Sequence, residues 1–222
     1  MTDPNPNLIS RPRKGIYSHF NAAGEHVADE RWQLFRDQDW MRADSEITRP
    51  PAFGEARTES HSVEWQADRA GWSLSSLVIH TARNALRREA RYNVIGVGET
   101  AELDACWQAG GQVGRLRMAW SRTTAPLTAS PLSLIAPLRA ESQQHLTALT
   151  LGALGFEPHW DALGRHSLGQ KNRATPLGMR SAFGYALRGA VDAEVWVDAT
   201  DLPLTCEYRD GSRVLLTGVS AG

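Results

Sequence analysis

Lysine, cysteine and long apolar runs are all scarce in this 222-residue chain, and each scarcity excludes something. Of 24 basic residues only Lys14 and Lys171 are lysine, and 25 acidic residues leave a formal net charge of −1. A chain so balanced is not one whose main business is coating nucleic acid or an anionic membrane surface. The arginine bias reads as compositional, although a guanidinium also suits carboxylate and phosphate pairing. The two cysteines, Cys106 and Cys206, are far apart in sequence. Met1–Lys14 is polar and rich in Pro and Asn, without the apolar core of a secretory signal. Free thiols in a reducing cytoplasm are therefore expected. No run of about 18 apolar residues occurs, so no spanning helix is expected.

Catalytic signatures are missing too. There is no Gly-x-Ser-x-Gly elbow, and Ser167, within Gly164–Gly169, has the wrong spacing for one. His159, Asp161 and His166 cluster near Glu157 without metal-ligand spacing, and a solvated loop accounts for them. The sequence thus assigns no catalytic residue, no metal and no cofactor.

What is present is alternation. Between Thr58 and Trp120, Val63, Trp65 and Ala67 alternate with Glu64, Gln66 and Asp68, giving a strand with one dry face and one wet face. Trp72–His80 follows, its alternation slipping at Ser75-Ser76, the mark of a bulge or of a strand buried on both faces. Ala90, Tyr92 and Val94 then alternate with Glu89, Arg91 and Asn93. Leu103, Ala105 and Trp107 do so with Glu102, Asp104 and Cys106, and Leu116, Met118 and Trp120 with Arg115 and Arg117. Connections this short permit only antiparallel neighbours.

The flanks read similarly. Ile16–Phe20 and Val27–Phe35 form a hairpin around Asn21–Gly24, and Trp40–Thr48 returns as a third strand. Thr123–Pro137 is a short edge strand or an extended crossing. Residues 138–154 carry Leu138, Leu146, Leu149 and Ala153 on one stripe before Gly155, which predicts the one substantial helix. Phe156–Arg180, rich in Gly and polar residues, predicts a long loop. Strands at Met179–Leu187 and Val191–Thr200 precede a final hairpin at Asp210-Gly211. The expected fold is mostly β: an antiparallel barrel or half-barrel meander, with the helix packed on the sheet or plugging it. It spans residues 15–222 as one domain behind a tail, 1–14.

The opening "GIYSHFNAAGEHVADERWQL", the unbroken meander and the closing "VWVDATDLPLTCEYRDGSRVLLTG" together resemble, in layout, uncharacterised bacterial proteins of lipoprotein-carrier (LolA-like) architecture. That resemblance implies a curved half-barrel whose concave face is covered by a helix or loop, and a lipid or other amphiphile as ligand.

Several patterns bear on function. Gly96-Val97-Gly98-Glu99-Thr100-Ala101 fits a dinucleotide fingerprint, but no α/β alternation surrounds it and a hairpin turn accounts for it better. Arg83, Arg87, Arg88, Arg91, Arg115 and Arg117 beside Tyr92 and Trp107 match a single-stranded nucleic-acid surface. The wet face of a strand gives the same pattern, and the balanced charge makes nucleic acid an improbable partner. His61 and His80 fall in strands, where structural roles outweigh catalysis. Eight tryptophans, nearly one per strand, are the outstanding compositional fact, and Trp lines concave pockets as well as cores. The favoured function is non-enzymatic binding of a hydrophobic or amphipathic small molecule on the concave face. Its expected contacts are Trp65, Trp72, Tyr92, Val94, Trp107, Met118 and Trp120, with His80 or Arg91 fixing a polar head group. Enzymatic action on an amphiphile through pocket histidines is the alternative, and a nucleic-acid-binding sheet the third reading.

Overall fold

The chain's first and last strands are neighbours. A computed structural model describes residues 12–53, 56–68, 71–83, 86–96, 100–120, 124–135, 138, 145–151 and 156–220. Among the described residues fifteen strands make one sheet: β1 (Arg13–Phe20), β2 (His26–Arg36), β3 (Trp40–Arg49), β4 (Arg57–Asp68), β5 (Gly71–Arg83), β6 (Leu86–Ile95), β7 (Glu102–Ala109), β8 (Gln112–Ala119), β9 (Thr124–Pro126), β10 (His145–Leu151), β11 (Pro158–Thr175), β12 (Gly178–Gly189), β13 (Ala193–Val197), β14 (Pro203–Tyr208) and β15 (Arg213–Ser220). The sheet runs in sequence order from β8 back to β1, which pairs β15, and then from β15 back to β9. Every ladder is antiparallel except the short parallel pairing of β9 with β10. The meander expected between residues 58 and 120 is β4–β8, and the slip at Ser75 is a bulge: Glu64 faces Ser76 while Trp65 faces Leu74.

Register separates the faces. Opposite residues run Gly15, Trp32, Ser45, His61, Ile79, Ala90, Trp107 and Gly114 across β1–β8. This row begins and ends on a Gly–Trp pair. A parallel row holds Leu34, Ala43, Val63, Leu77, Tyr92 and Ala105, all buried. Val214, Cys206 and Val195 extend the same inner face through β15, β14 and β13.

The chain itself fills that face. After β9 a 3-10 turn at Pro131–Leu134 buries Leu132 and Leu134, with Ile135 and Leu138 beyond it. Ser130 caps the turn, its Oγ accepting from the Leu132 N–H at 3.3 Å.

Two sequence expectations need correction. His145–Leu151, inside the expected 138–154 helix, is β10, with Leu146, Ala148 and Leu149 buried between β9 and β11. Helix propensities differ by tenths of a kcal/mol per residue, whereas burying a leucine is worth roughly 1.5–3 kcal/mol, so the ladder decides. Residues 139–144 and 152–155, the rest of that helix and its Gly155 stop, lie outside the described residues. The long loop expected at 156–180 is instead β11 and the start of β12. Beyond Arg165 neither face of β11 carries a buried residue, so its Gly-rich polar sequence gives no alternation to read. A bulge between Ser167 and Gly169 bends this hairpin, and its far half folds back over the outer face, where Arg173 stacks 4.8 Å from the centre of the Trp196 ring.

Candidate functional site

A groove of about 800 Å³ crosses the outer face of β15 and β1–β5, perpendicular to the strands. Its floor is the backbone at Gly15, Trp32, Ser45 and His61, whose side chains point inward. Its walls are the flanking outward residues: Ile16, Arg31, Glu46, Ser60 and His80 on one side, and Lys14, Gln33, Asp44 and Ser62 on the other. Strands lie about 4.8 Å apart, so six of them give a trough roughly 24 Å long.

Three elements shape it. Gly15 lies directly opposite Trp32, and the indole covers it so closely that no Cβ would fit. The bulge between Ile16 and Tyr17 turns β1 against β15; Ile16, opposite Gly218, is the exposed apolar side chain at this end of the outer face, while Val219, opposite Gly15, belongs to the inward-pointing row. Lys14 and Arg31 sit beside that end as diagonal neighbours across β1 and β2. Neither makes an ion pair among the described residues. Asp44, by contrast, is held by Arg42 at 2.8 Å.

The buried polar groups face the other way. Beneath the floor, His61 Nε2 lies 2.7 Å from Glu59 and Nδ1 3.4 Å from the Ser45 hydroxyl. Burial raises the Glu59 carboxyl, but His61 and Arg57 more than offset it and hold the group below the usual glutamate range. Glu30, fully buried, is bonded by Ser130 and lies 3.0 Å from His19. Burial, and then the Glu30 charge, push the Tyr17 phenol and the Cys206 thiol up.

The nine residues singled out from the sequence divide between the two faces. Trp65 and Tyr92 are wholly buried, and the Tyr92 hydroxyl donates to the carbonyl of Phe156. Trp120 is buried edge-on to Trp160, their rings 5.5 Å apart. Trp72, Val94, Trp107 and Met118 are half-buried against the same core. His80 and Arg91 lie on the outer face, His80 in the groove wall and Arg91 bonded to Glu89 at 2.6 Å. His61 and His80 are on opposite faces. The arginine stripe is likewise engaged, since Arg115 and Arg117 both bond Asp104.

Among the described residues no three His, Cys, Asp or Glu side chains converge as metal ligands. His159, Asp161 and His166 lie exposed along β11. The glycine fingerprint falls between β6 and β7, which are antiparallel neighbours, so it is a hairpin connection; residues 97–99 lie outside the described residues. No helix among the described residues is long and apolar enough to cross a membrane.

Sequence reading missed the groove because its members are ordinary wet-face residues, one or two per strand. Only the register brings them level. Lys14 falls in the polar stretch that composition reads as a tail, and is instead part of β1.

No protein-family model and no curated protein matches the chain. Among solved structures it is similar to the crystal structure of a beta-barrel-like protein of domain of unknown function DUF1849 from Brucella abortus, with a TM-score of 0.61 and 10% identity, covering 97% of this chain and 99% of that one. At that identity the likeness shows the fold alone. It supports a barrel-like antiparallel sheet of the kind expected from the sequence, and not the lipoprotein-carrier architecture in particular.

Proposed function

We propose that the protein binds a small amphipathic molecule without transforming it, and that the groove across β15 and β1–β5 is its seat. The observation that carries this is the pairing, at one end of an 800 Å³ trough, of exposed Ile16 with Lys14 and Arg31, cations that lack an acid partner among the described residues. Pockets of roughly 300–1,000 Å³ suit small ligands, and a few charged groups beside an apolar wall fix orientation.

Catalysis is the weaker reading for a geometric reason. Ser60, His80 and Glu89 lie opposite one another on β4, β5 and β6, which superficially resembles a hydrolytic triad. His80 Nδ1 is, however, 3.6 Å from Glu89 and half exposed, and no hydrogen bond joins Ser60 to it. Ser60, His80 and Glu89 lie within strands paired on both sides, whose backbone N–H groups are engaged in the ladders rather than arranged as an oxyanion hole.

One observation favours a second seat. Trp72, Val94, Trp107 and Met118 stay half-buried on the inner face, the last two at the β7–β8 edge of the sheet.

Titration with a fluorescent fatty-acid analogue separates the readings. Saturable one-to-one binding lost in Ile16→Asp and Arg31→Glu supports the groove. Loss in Met118→Asp alone moves the ligand to the inner face. Failure of the analogue and of dodecyl maltoside to bind, together with a clean organic extract of the purified protein, ends the proposal.

A further inference from the structure

A second cavity, of about 590 Å³, lies between the folded-back end of the β11–β12 hairpin and the outer face of β14 and β15. Arg173 and Thr175 come from the hairpin, and Thr205, Glu207 and Arg213 from the sheet. Thr205 is 3% exposed, yet its Oγ1 is buried without a hydrogen-bond partner. Directly opposite it on β13 stands Trp196, whose Nε1 is also buried and unpartnered. The benzo edge of that indole packs on Gly184, where an added Cβ would come within 2.7 Å of Cζ3 and Cη2, so Nε1 lies on the edge turned away from β12.

Four tryptophan Nε1 atoms are unpartnered in this way among the described residues, and Thr205 is the one hydroxyl. A buried polar group without a partner is destabilising and most find one. A valine at position 205 has nearly the same shape and carries no such penalty. What the Thr205 hydroxyl lacks is an acceptor, and the charges around it indicate that acceptor's sign. Glu207 is taken up by Arg173, whereas Arg213 stacks on Phe20 at 5.1 Å and has no acid partner among the described residues. Stacking leaves the donor edge of a guanidinium free for a planar or tetrahedral anion.

The geometry points to a polar site beneath the hairpin that takes a small oxyanion, carboxylate or phosphate, with the Thr205 hydroxyl and the Arg213 guanidinium as its principal donors. This site is separate from the groove on β1–β5 and stands whether or not an amphiphile binds there.

Calorimetric titration of the full chain with acetate and with inorganic phosphate, at ionic strength held constant with chloride, tests the assignment. Wild type is expected to bind at least one of the two saturably, and the stronger of them identifies the source of the oxyanion. Thr205→Val is expected to melt at or above the wild-type temperature without ligand, while its anion affinity falls about tenfold or more. Arg213→Gln, a surface change that leaves folding intact, is expected to weaken the anion similarly. Arg180→Gln, on the exposed part of the same hairpin, should leave it unchanged. Absence of binding to wild type at millimolar anion, or equal binding by the Thr205→Val and Arg213→Gln proteins, overturns the site. Equal losses in Arg180→Gln and Arg213→Gln also overturn it, since they reduce the effect to general charge.

Discussion

Ser130 gives its hydroxyl hydrogen to Oε1 of Glu30, a partner 100 residues away in sequence. The other carboxylate oxygen lies 3.0 Å from His19 Nε2. Glu30 has no exposed surface, so both oxygens depend on protein donors, and the contact fastens the filling segment to the wall of the sheet. Ser130→Ala leaves a carboxylate oxygen short of a donor in a dry site, at an expected cost of about 1–3 kcal/mol. With Glu30→Gln as the second corner, a urea double-mutant cycle should give a coupling above about 0.5 kcal/mol. Simple additivity of the two changes would mean that the segment is held by its leucines alone.

Two glycines only one register position apart make opposite predictions. Gly15 lies under Trp32, and a methyl group there must displace the indole or the Gly218 carbonyl. Gly15→Ala should therefore destabilise by about 1–3 kcal/mol, the usual range for overpacking. At Gly218 an added Cβ meets Ile16 atoms at 3.8 Å or more, which is ordinary contact. Removing glycine's conformational freedom there should stabilise by about 0.4–1 kcal/mol. Chemical denaturation of the two variants checks the contrast; a Gly15→Ala protein as stable as wild type shows that Trp32 can move aside.

The same pair shows how far the sequence can be read. Alternation identified β4–β8 and the hairpins at Asn21–Gly24 and Asp210-Gly211, because one-sided burial imposes a period of two. It failed at β10, where Leu146 and Leu149 also satisfy a helical stripe and only the neighbouring strands choose between the two. It failed at β11, whose second half, after Arg165, has no buried residue on either face. At the candidate sites it failed for a third reason. Gly15 opposite Trp32, Lys14 diagonal to Arg31, and Thr205 opposite Trp196 are relations of register, which local pattern does not contain. Tryptophan content did point to large apolar surfaces, but Trp65 and Trp32 pack against the chain's own core.

The groove cations should matter to binding and hardly at all to folding. Lys14 and Arg31 make no ion pair among the described residues, so Lys14→Ala and Arg31→Ala are expected to change unfolding free energy by less than about 0.5 kcal/mol. Their affinity for an anionic amphiphile should fall severalfold, and wild-type affinity should weaken with added salt, as solvent-exposed charge pairs are screened within about 10 Å at 0.1 M. Retained affinity and a flat salt response would place the ligand's head group elsewhere.

Acid should expose the contribution of Glu59. Burial favours its protonated form, but the hydrogen bond and charge of His61, with Arg57 beyond, outweigh burial and leave the folded carboxyl below its ordinary value. The unfolded chain therefore takes up a proton at higher pH than the folded one does, and stability rises with pH across that interval. The contribution is complete above the unfolded glutamate value of about 4.3 and is lost as pH falls through the depressed folded value. Glu59→Gln removes it at every pH. Wild type should thus be the more stable protein at pH 6, with the gap narrowing as pH falls below the unfolded glutamate value, because wild-type Glu59 then progressively gives up its charge. Urea midpoints recorded across that range decide the matter: two curves that stay parallel down to pH 3 would show that His61 and Arg57 do not hold the carboxylate in its charged form.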